Sequence, residues 1–244
     1  MNTQIKAFSF HLAISVVIAV LVGFIVFTYW HHPPLDTAVG VTRIFITLLI
    51  IDVILGPLLT FIIYKPGKKT LLMDLAVIAC LQLAALGYGL HTVAKGRPAW
   101  LVFAIDRFEL VRIIDIDNRK IEQANKLYQA PSFFGPQWVA AVTPSDTNER
   151  NEILMESVIA GVDIAQRPNL YQPLSTQNEQ IKQRAQALTT LSTFNSEADI
   201  KSALSPYPTA TAWLPLAANQ QDMVVLINKE TAEVIAIVDL RPWD

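Results

Sequence analysis

The chain has 244 residues, 52% of them hydrophobic, with a mean hydropathy of +0.36 and a formal net charge of −2. That balance argues against a strongly basic nucleic-acid binder, and its one cysteine, Cys80, rules out an internal disulfide. Charge is unevenly spread: the first 94 residues hold five basic and three acidic side chains, and residues 95–244 hold the other 14 and 18.

Residues 8–30 are the first apolar run. Its length exceeds the roughly 7–15 residues of a signal-peptide core, and no Ala-x-Ala site follows. It ends in Tyr29-Trp30, an amphipathic pair suited to a membrane–water boundary, so an uncleaved spanning helix is expected. Residues 44–64 and 70–90 are two further runs, each about 30 Å long at about 1.5 Å per residue, one hydrocarbon thickness. Lys65-Pro66-Gly67-Lys68-Lys69 between them carries a turn signal, which makes the two runs an antiparallel hairpin. Lys6 and the three loop lysines place the N-terminus and that loop in the cytoplasm and everything after about residue 91 outside, in the periplasm of a bacterium. The expected division is a three-helix membrane part, residues 1–94, and a periplasmic α+β domain, residues 95–244.

The soluble part opens with strand patterns at 99–105 and 109–116, then a short helix at 120–128, a strand at 137–142 and a helix at 145–160. Thr176-x-x-Glu179 reads as a capping box before a helix with Ile181, Ala185, Leu188 and Leu191 on one stripe. Ser196-x-x-Asp199 opens another short helix. Strands are expected at 210–214, 223–227 and 234–240, the last two forming a hairpin. Strands at both ends with helices between suggest a mainly antiparallel sheet.

Polar residues inside the apolar runs are the main functional candidates, because an acid at the bilayer centre costs roughly 2.5–3.5 kcal/mol on insertion scales and should face a partner. Counting from the lysine loop puts Gln82 level with Asp52, and Asp74 level with Thr60 and His11. Two polar layers are therefore expected, a Gln82–Asp52 hydrogen bond at mid-membrane and His11, Thr60 and Asp74 nearer the cytoplasm. They would serve first as interhelical glue. Gly56-Pro57 lies mid-helix, where Pro57 should kink the chain and free the carbonyl of Val53. Cys80 is expected to pack.

Catalysis and cofactors find little support. His11, His31, His32 and His91 all precede residue 95, so no histidine-based triad or zinc site can form within the soluble part. His31, His32 and Asp36 read as a solvated loop stiffened by Pro33-Pro34. Asp106, Asp115 and Asp117 read as solvated carboxylates, although Asp115 and Asp117 would share a face if the strand continued. No glycine-rich phosphate loop is present, and no metal or cofactor is expected.

The residues Asp52-x-x-Leu55-Gly56-Pro57-Leu58-Leu59-Thr60, the loop Lys65-Pro66-Gly67-Lys68-Lys69, then Asp74-Leu75, Gln82-Leu83, Tyr88-Gly89, Arg97-Pro98, Phe103 and Asp106-Arg107-Phe108 resemble the type IV pilin accessory protein (TfpX/TfpZ) family. The likeness is densest over residues 43–110. It implies a non-enzymatic inner-membrane protein with a periplasmic domain that acts as a chaperone-like factor for a cognate type IV major pilin. The expectation is that the three helices dock beside the pilin's transmembrane helix and that the domain contacts its globular head. Other pilus assembly components are further candidate partners. As a family, such pilins carry a glutamate near the start of an otherwise apolar helix, which His11 or Lys6 could meet. A membrane-anchored ligand-sensing module is the alternative; it requires an apolar pocket in the domain and a cytoplasmic output element, for which the short cytoplasmic segments offer little room.

Overall fold

The computed structural model describes residues 3–243. Helix α1 (Thr3–Ile25) runs into a π-helical turn, Val26–Trp30, and a short α2 (Leu35–Val39) follows. Helix α3 (Val41–Leu49), a second π-helical turn at Ile50–Leu55 and α4 (Gly56–Ile63) form one continuous second span. Helix α5 (Leu71–Gly96) is the third. All three spans, Thr3–Trp30, Val41–Ile63 and Leu71–Gly96, are long and apolar enough to cross a membrane. The second packs against both others.

Helix α5 ends at Gly96, and the chain enters β1 (Pro98–Ala104) after the single extended residue Arg97. Next come β2 (Arg107–Arg112), β3 (Gln137–Ala141), α6 (Thr147–Ala160), β4 (Tyr171–Pro173), α7 (Asn178–Arg184), β5 (Gln186–Ala187), α8 (Glu197–Leu204), β6 (Ala212–Ala217), β7 (Met223–Asn228) and β8 (Glu233–Val238). The sheet runs β4-β3-β1-β2-β6-β7-β8, with β5 also on β6. Five pairings are antiparallel; β1 with β3 and β2 with β6 are parallel. The sheet curls, so that Leu101 and Trp138 from one end and Val234 and Ile237 from β8 line a common cleft. The expected α+β architecture with a mainly antiparallel sheet is what the chain forms.

Alternation along the strands sorts the core onto two faces. One face gathers Leu101, Phe103, Phe108, Leu214, Leu216, Met223 and Val225. The other carries Trp100, Val102 and Val139 under Tyr171 and Ile153, and Trp213, Val224 and Leu226 under Leu191. The first face is closed partly by the segment between the first two spans. Leu35 and Ala38 of α2, 1% and 0% exposed, lie in that core beside Ile181 of α7. Backbone amides of Gln220 and Gln221, in the β6–β7 turn, donate to the Ala38 carbonyl at 3.0 and 3.2 Å. The solvated loop expected at 31–36 is therefore a folded plug, because Leu35 and Ala38 cover apolar strand residues that would otherwise face water.

Other local expectations need correction. Residues 120–128 form only a single 3₁₀ turn, Ile121–Gln123. Ile181 and Leu191 are buried as expected, but the helix stops at Arg184 and the chain becomes extended through β5 before a 3₁₀ segment, Leu188–Thr193. There the Trp213 indole donates to the Ala187 carbonyl at 3.0 Å, a tertiary bond that outweighs local helix preference. Cys80 does not pack: it is exposed on the outward side of α5.

Removing the plug's side chain should unfold the sheet rather than only the loop. Leu35→Ala is expected to destabilise the soluble part by about 2–5 kcal/mol, the range for a buried leucine. Tryptophan-monitored thermal unfolding of the detergent-solubilised chain measures this; an unchanged melting temperature would show that α2 is not part of the core.

Candidate functional site

The intramembrane polar residues converge around one defect in the second span. In the π-helical turn Ile50–Leu55 each amide reaches back five residues instead of four. Continuing that register would give the Asp52 carbonyl the amide of residue 57, which is proline and has none. The Gln82 side chain of α5 supplies the missing donor, its Nε2 lying 3.1 Å from the Asp52 carbonyl oxygen. Gly56 makes this possible, because a methyl group there would overlap the Gln82 amide. Gly89 plays a parallel part nearby, where a methyl would overlap the Leu48 side chain and force α5 away from α3.

Two sequence expectations are thereby refined. Gln82 does meet Asp52, through the backbone carbonyl instead of the carboxylate. The carbonyl that Pro57 orphans is that of Asp52 instead of Val53, because the local register is π. The Asp52 carboxylate itself stays unengaged: its Oδ1 is buried with no hydrogen-bond partner among the described residues.

Nearer the lysine loop, His11 of α1 and Thr60 of α4 are joined at 2.7 Å between Nδ1 and Oγ1, as the depth count suggested. Asp74 does not join them. It sits in the first turn of α5, and its carboxylate takes the Lys68 ammonium at 2.6 Å and the Thr70 hydroxyl at 3.2 Å. The loop bends back over the helix start, and an ammonium is a stronger partner for a carboxylate than a buried hydroxyl. Lys65 and Lys69 are exposed in the same loop.

Above the His11–Thr60 contact the helices part. A cavity of about 180 Å³ opens between α1, the second span and α5. His11, Ser15, Asp52 and Gln82 are its polar lining; Ile18, Val22, Phe45, Leu48, Ala79 and Leu86 are among its apolar walls. Asp52, whose Oδ1 has no hydrogen-bond partner among the described residues, thus lies on the wall of a mostly apolar slot of roughly side-chain dimensions. Such a slot can seat an apolar or hydroxyl-bearing helix face.

A second constellation lies where the spans meet the domain; pattern reading noticed Trp30, His31, Arg97 and Pro98 separately but did not bring them together, and it missed Phe133. The Arg97 guanidinium stands 5.9 Å from the Trp30 ring centre and 5.6 Å from that of Phe133, and Nη1 donates to the Ser132 carbonyl at 2.6 Å. Pro98 then starts β1 without offering an amide the helix would need. His31 is 1% exposed, and neither ring nitrogen has a hydrogen-bond partner among the described residues. Burial pushes its pKa down to about 4, with Arg97 and His32 adding repulsion against a smaller upward pull from nearby carbonyls. Asp36 lies on α2, and no group of three His, Cys, Asp or Glu residues that could hold a metal ion occurs among the described residues.

In the domain, Asp106 pairs with Arg107 at 2.9 Å in the β1–β2 turn. Asp115 and Asp117 do not share a strand face, because β2 ends at Arg112. Asp115 takes Arg112 at 2.8 Å, whereas Asp117 joins Arg119 at 2.7 Å. Glu156 bridges Arg119 and the buried Arg167, and hydrogen bonds from these two guanidinium groups hold its carboxyl down at about 2. These acids are used in pairing.

Fold and site together define a membrane-anchored α+β protein with a slot between its spanning helices and a polar joint at the membrane boundary. The chain belongs to a family of fimbrial assembly proteins, and the model of the fimbrial assembly protein FimB matches its residues 1–40. The chain is 30% identical to the serogroup I fimbrial assembly protein of Dichelobacter nodosus over 247 residues, 98% of this chain and 96% of the relative. The serogroup E1 protein of the same organism matches to the same extent, and the protein of serogroups C1 and C2 is 32% identical over 49% of this chain and 92% of its own length. No solved structure matches.

Gly56→Ala should displace the Gln82 amide and leave a carbonyl unpaired, lowering stability in detergent by about 1–3 kcal/mol. Gln82→Ala should do much the same, and the double variant should be no worse than either alone; fully additive losses would show that the two residues act separately. His31 titrates near about 4 when folded and about 6.5 when unfolded. A depressed pKa contributes stability that is complete above the unfolded value and is lost as pH falls through the folded one. Melting temperature should therefore drop between pH 6.5 and 4 in the native chain and drop less in His31→Phe.

Proposed function

We propose that this chain is an inner-membrane accessory protein that binds and stabilises a cognate type IV major pilin before pilus assembly. The N-terminus and the loop bearing Lys65, Lys68 and Lys69 would lie in the cytoplasm and the sheet domain in the periplasm, in keeping with the lysine bias. Family membership supports a role in fimbrial assembly. The observation that supports the finer reading is the slot beside Asp52, a mostly apolar wall that includes an acid whose Oδ1 has no hydrogen-bond partner among the described residues.

The pilin's transmembrane helix would lie between α1 and α5. His11 lines the slot with Nδ1 engaged by Thr60, which leaves Nε2 for a client carboxylate. Polar groups on both sides would be mutually satisfied in lipid, where water cannot compensate them. The pilin head would meet the domain. Leu154, Met155, Val158 and Ile159 on α6 are 61–85% exposed, an apolar surface of the kind that marks a partner site. The free edge of β8 is a second contact, open to strand addition. A ligand-sensing role gains less support, since the domain's clefts are more open than the slot between the spans.

Photo-crosslinkers at positions 11 and 52 are expected to capture pilin in cells, and deletion of the gene is expected to lower both pilin level and surface pili. Crosslinks confined to the domain would remove the transmembrane part of the reading. Normal pilin and normal pili after deletion would remove all of it.

A further inference from the structure

Where the first span ends, a chain of aromatic rings leads from the outward surface of the helix onto the domain. Phe24 meets Tyr29 edge to face at 6.1 Å, and Tyr29 meets Phe134 at 5.5 Å. Phe134 touches Phe133 at 5.3 Å, and Phe133 touches Trp30 at 5.7 Å. Trp30 is buried, but Phe24, Phe133 and Phe134 are 58%, 52% and 72% exposed.

The segment that presents these rings, Pro131-Ser132-Phe133-Phe134-Gly135-Pro136, is built into place. Arg97 holds it from the α5 side through the Ser132 carbonyl. The Ser132 hydroxyl accepts the Phe134 amide at 3.1 Å. Gly135 has a φ of 103°, a conformation that side chains rarely adopt, and it brings the backbone against the Tyr29 carbonyl. Two adjacent phenylalanines are thus kept outward at the level where the first span reaches the membrane boundary.

We propose that Phe133 and Phe134 insert among phospholipid headgroups beside the first span, seating the domain on the bilayer surface. The occupant follows from continuity. Phe24 and Tyr29 are exposed on a helix long and apolar enough to cross a membrane, and Phe134 extends that surface without a break. Aromatic rings favour this zone because they combine an apolar body with a polarisable face. Lys95, exposed in the last turn of α5, would lie at the same boundary for lipid phosphates.

An environment-sensitive nitrobenzoxadiazole label at position 134 tests this, using Phe134→Cys in a Cys80→Ala background. The full chain is reconstituted in vesicles of phosphatidylethanolamine and phosphatidylglycerol. A nitroxide attached near the headgroup end of the acyl chain should quench the label at least about twofold more than one near the chain terminus, as an interfacial depth of about 5–10 Å requires. Aqueous iodide should quench it weakly. Labels at native Cys80, on the outward side of α5, and at Glu230→Cys, in the turn between β7 and β8, set the lipid and water limits. Iodide quenching at 134 equal to that at 230 would overturn the proposal. So would protection from both quenchers, which would mean that a protein partner covers the segment. Phe133→Cys is read in the same way and decides the matter if the first variant does not reconstitute.

Discussion

No water reaches the hydrocarbon to satisfy a stray backbone carbonyl, and Pro57 creates one in the middle of the second span. The repair fixes much of the membrane part. A donor must come from a neighbouring helix, so Gln82 has to lie at that depth on α5. The donor must reach the backbone, so residue 56 has to lack a side chain. Helices brought that close then need small residues at their other contacts, which Gly89 provides against Leu48. One missing amide therefore specifies the rotation of α5, its distance from the second span and a glycine on each, Gly56 and Gly89.

The same repair leaves the Asp52 carboxylate over. Had Gln82 met the carboxylate, the layer would have been closed and the helices merely held together. With the amide committed to the backbone, an acid remains at the edge of a slot that three helices do not fill. An arrangement of this kind is poor economy for a scaffold alone, which is why the slot carries more functional weight than the other polar groups of the spans. Asp74 shows the contrast: engaged by Lys68 and Thr70, it trims the helix start and does not line the slot.

The sequence made the three spans, the lysine loop, the longer strands of the domain, and the depth of His11, Thr60 and Gln82 legible, because each rests on period, length or spacing along one chain; the short strands β4 and β5 carry too few residues to show a period. It hid features that depend on how distant segments meet. A π register shifts one hydrogen bond by one residue, which moved the orphan carbonyl from Val53 to Asp52 without any trace in composition. The plug was hidden because Leu35 and Ala38 are only two apolar residues in a loop with Pro33-Pro34 and Asp36. Their burial comes from strands nearly 70 residues away and further. His31 looked solvated for the same reason. Arg97 was visible as a motif residue, but its partners Trp30 and Phe133 come from two other segments.

Those hidden contacts also explain how the two halves act together. The first two spans are linked by α2, which lies in the core of the sheet, and the third leads into β1 through Arg97. All three spans are thus tied to the domain at its base, by packing in one case and by continuous chain in the other. A shift of α1 relative to α5, the motion that would widen or narrow the slot beside Asp52, must strain α2 in the sheet or the rings around Arg97. Occupancy within the membrane and the posture of the domain above it are consequently coupled by geometry, and any partner that touches both would bind to one mechanical unit.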